Sequence, residues 1–508
     1  MSRVISKGSR IDLDKTADSR RSRRAATVDT HALDAAGSYA EWARAAMAHD
    51  EASGMARWRD TEQSRIYDYA AIRARLEQLR RYRNAHDDHG LFYALEEGIH
   101  GNMGGMGKPE LYARSRFGTK RLITDYIQAI CDSLEHLAAC EQSGIGIAEK
   151  ADLFERASTC FGRSALLLSG GGVFGNFHAG VVKALVDQQL LPSIISGSSA
   201  GSLMAAIVGT HTSEQLDTIF TPANLQIETH REQVSLARRS RHLFPRFDRD
   251  EVVRHIDRLI PDLTFAEALD VSGIRLNISV SASELNQNSR LLNAITSPNV
   301  YVRSAVMASC SVPGVFPPSM LMAKNRQGQP QAYLPGRRWF DGSLSDDIPA
   351  QRLGRLYGVN HYIVSQVNPF ALIKSQPEHI RFAPANELLQ FCHRSALLAA
   401  RSWQNIANRY GRRWPDATFA VNSLVSVFAQ EYRGDINILP PVGMVKPWRG
   451  MQRPSEQQLL AIIDAGERAT WPRIEMIRNC TQIGRTLDAL LARFPSKRAA
   501  AARDEVSP

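Results

Sequence analysis

The chain has 508 residues, of which 44% are hydrophobic and 22% are charged, a balance typical of a globular protein. A chain of this length can bury a sizeable core without a disulfide or metal framework, and at roughly 150 residues per domain it suggests about three domains. The 62 basic and 52 acidic residues give a net charge of +10, which raises the question of a nucleic-acid or membrane partner.

The first segment in chain order is a basic arm. Residues 1–24 hold eight basic and three acidic residues, which is half of the net charge. Because this segment lacks apolar periodicity, residues 1–35 are predicted to form a disordered arm. No apolar stretch follows its arginines, as a secretory signal would require. The six scattered cysteines are therefore expected to be free thiols, and the absence of a Cys-x-x-Cys pair gives no support for a metal site.

Residues 36–160 are predicted to form a helical N-terminal domain. Apolar residues recur at helical spacing in three stretches of this region. These stretches are Tyr39–Met47, Ile66–Leu79 and Leu122–Leu134. Between the last two, His100–Pro109 carries four glycines and a proline, so we expect a loop without regular structure there.

The pattern changes in residues 161–375, which are predicted to form an α/β domain. This region opens with the strand-length apolar run Ala165–Leu168, a glycine loop, the helically spaced stretch Phe177–Leu190 and a second short strand at Ile194. A strand, a helix and a second strand predict a βαβ unit, and hence a parallel sheet. Further strands are predicted at Leu276–Ala282 and Tyr362–Gln366.

The remainder, residues 376–508, is predicted to be a helical C-terminal region. Apolar residues return to helical spacing at Leu388–Ala400 and at Leu459–Ile463. The Ala- and Arg-rich end after Lys497 is expected to fray.

One uncharged stretch, Gln188–Thr210, has 23 residues and is long enough to cross a bilayer. It also contains a proline, five serines and three glycines, a mixture that a lipid-exposed helix does not favour. A buried strand, a tight turn and a buried helix account for it better.

The glycine loop after the first strand consists of Gly170, Gly171, Gly172 and Gly175. Its Gly-x-Gly-x-x-Gly spacing also occurs in dinucleotide-binding folds, but these need an acidic residue about 20 positions later. The corresponding residues here, Ile194–Ser198, contain no Asp or Glu. The loop is therefore interpreted as a set of backbone amides at a helix N-terminus that can hold an anion.

The second strand ends in Gly197-Ser198-Ser199-Ala200-Gly201, a Gly-x-Ser-x-Gly sequence before an apolar helix. This context is typical of a nucleophile elbow, in which a sharp strand-to-helix turn raises one serine above the sheet. Ser199 is predicted to attack an acyl carbonyl, and the glycine-loop amides are predicted to stabilise the oxyanion. The alternative interpretation is a tight turn packed with small residues.

The base that activates Ser199 is predicted to be Asp341, which precedes Gly342 in a turn after a predicted strand. Burial is expected to raise the pKa of Asp341 so that it works near neutral pH. An ordinary turn remains the alternative for this Asp-Gly pair. A triad would need one of three later histidines, none of which lies in a recognisable catalytic turn. They are His361, His379 and His393.

These motifs resemble the patatin-like phospholipase family, which has a glycine oxyanion loop, a serine elbow and an Asp-Gly pair in this order. The resemblance extends to flanking segments. They are Phe174–Leu185, Ile195–Ser202 and Ala305–Gly314. It implies a three-layer α/β/α hydrolase core, a Ser199–Asp341 dyad in place of a triad, and no cofactor or metal.

The chain is most similar to the triacylglycerol-lipase branch, which carries a helical N-terminal domain of unassigned function. The segments that resemble this branch include Tyr67–Tyr69, His100–Tyr112 and Gly118–Lys120. The match covers roughly residues 40–430. The loop departs from many patatins at Val173 and Phe174, although the lipase branch also has Phe at the second position.

Two clusters mix arginines with aromatic residues, Leu236–Phe247 and Arg401–Trp414. Such clusters suit an anionic membrane surface, although a solvated face with structural aromatics explains them equally well. No nucleic-acid motif accompanies them.

We therefore expect a lipid acyl hydrolase that cleaves esters of triacylglycerol or phospholipid. It is expected to be cytoplasmic and peripherally bound to a membrane or lipid-droplet surface, without a nucleic-acid partner. The alternatives are a non-catalytic membrane-associated scaffold and a lysophospholipid acyltransferase. The oligomeric state is left open.

Overall fold

The computed structural model describes residues 30–141, 144–227, 249–284, 289–313, 315–368, 372, 434–445 and 454–494. Most of the predicted basic arm lies outside the described residues, as do the helix predicted at Leu388–Ala400 and both arginine–aromatic clusters. The chain divides into two compact units, one formed by residues 1–162 and 471–508 and the other by residues 163–470.

The first unit is helical in its described residues. Its helices are α1 His31–Ala35, α2 Tyr39–Ser53, α3 Met55–Asp60, α4 Tyr69–Asn84, α5 Asp88–Gly98, α6 Pro109–Tyr112, α7 Arg121–Ala139, α8 Ile147–Phe161 and, near the C-terminus of the chain, α19 Ile474–Arg493. The apolar stripe of α7 is buried, and α7 packs against α4 and α19.

The predicted helical stretches of this unit are confirmed with small shifts. Ile66 lies before the start of α4, because the Asp68 side chain caps that helix by accepting a hydrogen bond from Ala71 N–H. The glycine-rich stretch is more regular than predicted. Met103–Gly105 forms a 3₁₀ turn, in which the glycines supply the positive φ angles that the turn needs.

The second unit is built on a mixed seven-stranded sheet within the described residues. The strands of the unit are β1 Arg163–Leu168, β2 Ile194–Gly197, β3 Arg275–Ala282, β4 Arg290–Leu292, β5 Met322–Lys324, β6 Pro330–Ala332, β7 Trp339–Asp341, β8 Val359–Ser365 and β9 Ile436–Ile438. The main sheet has the order β4-β3-β2-β1-β8-β9, with β7 also paired to β3, while β5 and β6 pair separately. In this order the neighbouring strands β3, β2, β1, β8 and β9 are parallel, whereas β4 and β7 run antiparallel to β3.

Helices pack against this sheet and against each other. They are α9 Asn176–Asp187, α10 Ala200–Thr210, α11 Ser213–Ile219, α12 Pro222–Leu225, α13 Arg249–Leu259, α14 Phe265–Ser272, α15 Val302–Ser309, α16 Ser343–Asp346, α17 Ala350–Tyr357 and α18 Glu456–Thr470. α10 contacts β1, β2 and β3, and α17 contacts β8. The predicted α/β core with helical extensions is thereby confirmed.

The predicted C-terminal region, residues 376–508, is not entirely helical, because it also contains β9, which pairs with β8 in the main sheet. Its two described helices are divided between the units. α18 packs on α9 in the second unit, where a Cβ on Gly180 would lie 1.9 Å from the Ile463 carbonyl oxygen. α19 packs on α7 and α8 in the first unit. The C-terminal region therefore contributes to two cores.

The uncharged stretch Gln188–Thr210 forms β2, a turn and the 11-residue α10, as predicted. Among the described residues, no helix combines the length and apolar content needed to cross a membrane.

The ends of three parallel strands meet at one edge of the sheet. Leu168 is in register with both Gly197 and Ser365, so β1, β2 and β8 end at the same level. In α/β proteins the loops at this carboxyl edge are where ligands bind. The predicted glycine loop and serine elbow both leave from this edge.

Candidate active site

Ser199 occupies a strained turn between β2 and α10. Its φ and ψ angles are 50° and −127°, a region that residues with a Cβ rarely adopt. The flanking glycines allow the turn to close. A Cβ on Gly197 would lie 2.3 Å from the Gly201 carbonyl oxygen, and one on Gly201 would lie 2.2 Å from the Leu168 carbonyl oxygen. The geometry is that of a nucleophile elbow.

A serine from a distant helix supports this turn. The Ser199 N–H donates to Ser309 Oγ over 2.9 Å, and the Ser309 hydroxyl donates to the Ser279 carbonyl oxygen over 2.9 Å. The elbow is thus tied to α15 and to β3. Ser309 was not singled out in the sequence, because its partners lie 110 and 30 positions away.

Asp341 ends β7 and lies next to the elbow. The Ser199 hydroxyl lies close enough to its carboxyl to lower the pKa of that group, and Asp341 Oδ1 accepts from Ser343 N–H over 2.8 Å. Gly342 is required for this approach, because a Cβ there would lie 2.1 Å from the Ser279 carbonyl oxygen. The structure therefore brings together the two residues that the sequence predicts as a dyad.

The environment of Asp341 raises the proton affinity of its carboxyl. The residue is 1% exposed, and burial raises the pKa of its carboxyl from 3.8 to about 6, while hydrogen bonds from Ser199 and Ser343 limit the rise. A carboxyl with this pKa is ionised at neutral pH and still accepts a proton more readily than an exposed aspartate.

The glycines of the loop have different roles. The Gly170 N–H, predicted to face the oxyanion with its neighbours, instead donates to Asp347 Oδ1 over 2.8 Å. The missing side chain of Gly170 nonetheless makes room for the elbow, because a Cβ there would lie 3.1 Å from the Cβ of Ser199. At Gly171 a Cβ would lie 2.5 Å from Val367 Cγ2, so this position is also closely packed.

Two backbone amides beside Ser199 belong to the first residues of helical segments. Gly172, with φ of 59°, opens the 3₁₀ turn Gly172–Gly175, and Ala200 is the first residue of α10. The first amides of a helix have no partner within it. A Cβ on Gly175 would lie 2.5 Å from the Cβ of Ala200, so the loop closes directly onto the elbow. The Ala200 amide is therefore a candidate donor that the glycine pattern does not indicate.

Ser199 opens on an apolar cavity of about 330 Å³ that Gly172 and Ala200 also line. Most of its remaining lining comes from aliphatic and aromatic side chains. They include Leu203, Met204, Leu225, Ile256, Val315 and Phe316. Ser199 is 8% exposed, whereas the preceding Ser198 is fully buried. Of the two elbow serines, Ser199 is the one that a ligand in the cavity can reach.

The histidine alternatives for a triad do not meet the elbow in the described residues. His361 contacts Ser164 through Nδ1 and is paired with it in the β1–β8 register, four residues before Leu168. That is about 13 Å from the strand end at 3.3 Å per residue. His379 and His393 lie outside the described residues.

Two other histidines lie near the site. His178 of α9 is fully buried and joins two strand ends, with Nδ1 at 2.7 Å from Ser365 Oγ and Nε2 at 2.9 Å from the Ser169 carbonyl oxygen. His255 of α13 lines the cavity. Burial lowers the pKa of each to about 4, so both are neutral at physiological pH. Neither was predicted, because an isolated histidine in a helix carries no distinctive spacing.

Comparison with known proteins identifies the class to which this fold and site belong. Residues 166–353 match the patatin-like phospholipase family, and residues 19–159 match a domain of unknown function (DUF3336). The chain belongs to the patatin-like phospholipase family.

Within that family the chain falls in the triacylglycerol-lipase branch. It is 31% identical to triacylglycerol lipase 5 of Saccharomyces cerevisiae over 87% of this chain and 62% of that protein. It is 33% identical to triacylglycerol lipase ptl3 of Schizosaccharomyces pombe over 88% of this chain and 93% of that protein. The chain thus spans nearly all of one yeast relative and less than two thirds of the other. Among solved structures, VipD from Legionella pneumophila aligns with 65% of this chain and 67% of its own at 14% identity, with a TM-score of 0.29.

Proposed function

We propose that the protein is a serine lipid acyl hydrolase in which Ser199 is the nucleophile and Asp341 the general base. The observation that carries this proposal is the close approach of Ser199 and Asp341 at a strained elbow that opens on an apolar cavity. Both the family membership and the lipase relatives support ester hydrolysis.

The first half of the reaction acylates the serine. Ser199 Oγ attacks the carbonyl carbon of the ester while its proton moves to Asp341. The amides of Gly172 and Ala200, with that of Gly171 beside them, stabilise the negative charge on the carbonyl oxygen. The tetrahedral intermediate then collapses, and the departing alcohol oxygen takes the proton from Asp341.

The second half releases the fatty acid. A water molecule attacks the acyl-enzyme and gives a proton to Asp341, which returns it to Ser199 Oγ when the carboxylic acid leaves. The side chains of Ser199 and Asp341 and the backbone amides account for each proton and charge in this sequence.

The cavity indicates the substrate class. At about 330 Å³ it is at the lower end of the 300–1,000 Å³ typical of ligand pockets, so we propose that it holds one aliphatic acyl chain while the rest of the lipid stays outside. Triacylglycerol is the favoured substrate on the strength of the relatives' names, followed by phospholipid. Such substrates are insoluble, so we propose that the protein acts while peripherally bound to a lipid-droplet or membrane surface.

The test is hydrolysis of an emulsified triacylglycerol and of phospholipid vesicles by the full chain, with Ser199→Ala beside the wild type. We expect fatty-acid release by the wild type, a loss of at least a thousandfold in Ser199→Ala, and fluorophosphonate labelling of every protein that retains Ser199. Ser272→Ala is the matched control, since Ser272 is hydrogen-bonded within α14 and to the Gly209 carbonyl oxygen. Full activity of Ser199→Ala would reject the mechanism, and an inert, unlabelled wild type would favour a scaffold.

A further inference from the structure

A second buried carboxylate, Asp347, lies at the junction of three strand ends. Its Oδ1 accepts from Gly170 N–H over 2.8 Å and from the Ser198 hydroxyl, and its Oδ2 accepts from Asn368 Nδ2 over 3.3 Å. These three donors lie after β1, β2 and β8, three neighbouring strands of the sheet. One side chain therefore joins the glycine loop, the elbow and the end of β8.

Three hydrogen-bond donors stabilise the negative charge of the buried Asp347 carboxylate. Asp347 is 1% exposed, and a carboxylate removed from water is tolerated when hydrogen-bond donors replace its hydration. An ionised carboxylate only accepts, with about four acceptor positions on two oxygens, and bonds to it are roughly twice as strong as neutral ones. It therefore suits a shell of amide and hydroxyl donors better than a neutral side chain would.

The position of these bonds matters for the proposed reaction. Gly170 directly precedes Gly171 and Gly172 in the oxyanion loop, and Ser198 directly precedes the proposed nucleophile. Because each bond fixes a residue adjacent to the reacting groups, displacement of Asp347 would move the loop amides relative to Ser199. A misplacement of about 1 Å costs on the order of a hundredfold in rate.

We propose that Asp347 is a positioning residue that, through Gly170, Ser198 and Asn368, sets the distance between the oxyanion loop and the nucleophile elbow. This inference rests on the proposed hydrolase function for its kinetic consequence. Its structural consequence, a loop held in place by Asp347, is independent of any activity.

The charge of Asp347 also depends on its neighbours. Burial raises the pKa of its carboxyl to about 7, the three hydrogen bonds oppose the rise, and the negative charge of Asp341 adds to it. Of the other titratable groups nearby, His178 of α9 is held neutral by burial, and Arg352 of α17 pairs with Asp346 over 3.2 Å. If Asp347 were protonated, its O–H would be a donor facing three groups that are themselves donors. The glycine loop should therefore be held best when Asp347 is ionised, above about pH 7.

The experiment compares Asp347→Asn with Asp346→Asn in the full chain. Asp346 is the adjacent carboxylate, but it pairs with Arg352 instead of the loop, so its variant controls for a lost charge at this position. Two quantities are measured: kcat and KM on a short-chain p-nitrophenyl ester between pH 5 and 9, and amide hydrogen exchange of a peptide that covers residues 168–176.

For Asp347→Asn we expect kcat to fall at least tenfold at pH 8 with KM within twofold of the wild type, because a transition-state contact is affected. We also expect faster exchange across the glycine loop. The acid side of its pH profile should report one ionisation, that of Asp341, where the wild type reports two. Asp346→Asn should match the wild type in loop exchange, and its kcat should stay within threefold.

A kcat within twofold of the wild type, a change confined to KM, or unchanged loop exchange would each overturn the proposal. If Asp347→Asn does not fold, Ser198→Ala and Asn368→Ala each remove one donor. Each should lower kcat about threefold or more and speed loop exchange, and the absence of both effects in both variants would also overturn it. If the wild type hydrolyses no ester, the proposed function fails, and the exchange measurement alone decides the role of Asp347.

Discussion

Replacement of Asp341 by Asn should remove activity and at the same time stabilise the fold in a pH-dependent way. The activity should fall at least a few hundredfold, since a general base contributes about 10² to 10⁴ in rate. The stability effect follows from the pKa of Asp341, which burial raises from 3.8 to about 6. A difference of about two units corresponds to about 3 kcal/mol at 1.36 kcal/mol per unit.

The sign of the effect follows from proton binding. Between about pH 4 and pH 6 the folded chain keeps a proton on Asp341 that the unfolded chain releases, so the wild type loses stability as the pH rises through this window. The amide side chain of the Asp341→Asn variant would not titrate, and its oxygen can still accept from Ser343 N–H. The variant should therefore match the wild type near pH 4 and exceed it by about 3 kcal/mol at pH 7 and above.

The assay is denaturant and thermal unfolding of both proteins at pH 4 and pH 7, with ester hydrolysis measured in parallel. A gain of about 3 kcal/mol corresponds to a rise in Tm of roughly 5 °C or more for a unit of this size. Asp464→Asn, which removes an exposed carboxylate on α18, is the control and should change Tm little. An equal stability difference at both pH values would refute the reasoning, and retained activity would refute the role of Asp341 as the base.

Three further predictions test the site from other directions. His361→Gln should keep kcat within threefold, because His361 contacts Ser164 about 13 Å from the strand ends; an inactive but folded variant would revive the triad. Gly175→Ala should lower kcat at least tenfold without a comparable change in KM, because its Cβ would lie 2.5 Å from the Cβ of Ala200; unchanged kinetics would disprove the close contact. Met204→Trp should fill part of the cavity. In a series of p-nitrophenyl esters, the ratio of kcat/KM for short acyl chains to kcat/KM for long acyl chains should therefore rise at least tenfold.

The proposed nucleophile and base could be predicted from the sequence because their constraints are local. The elbow needs glycines two positions before and after Ser199, since the turn brings Gly197, Gly201 and Leu168 into backbone contact. Asp341 was identified with Gly342 for a similar reason, because only glycine permits the approach to β3. Such steric requirements leave short, recognisable patterns in the chain.

The residues that hold the site in place left no such pattern. Ser309 supports Ser199 from 110 positions away, and Asp347 holds Gly170 from 177 positions away. A buried serine or aspartate can take many partners, so its role depends on which strands the sheet brings side by side. The hydrogen bond from the Gly170 amide to Asp347, and the position of the Ala200 amide beside Ser199, appear only when the loop and the elbow are folded together.

The sequence by itself predicted the N-terminal helical stretches, the first βαβ unit, the glycine loop, the elbow and the Asp-Gly turn, because each depends on backbone sterics or on apolar periodicity over a few residues. The short strands β4, β5, β6 and β9 were not predicted. The tertiary structure alone decided which surfaces those elements bury. α18 and α19 are both amphipathic and nearly adjacent in the chain, yet α18 packs on α9 beside the catalytic sheet and α19 packs on α7 and α8 of the N-terminal helices. Helical periodicity specifies that a face is buried, whereas shape and packing select its partner.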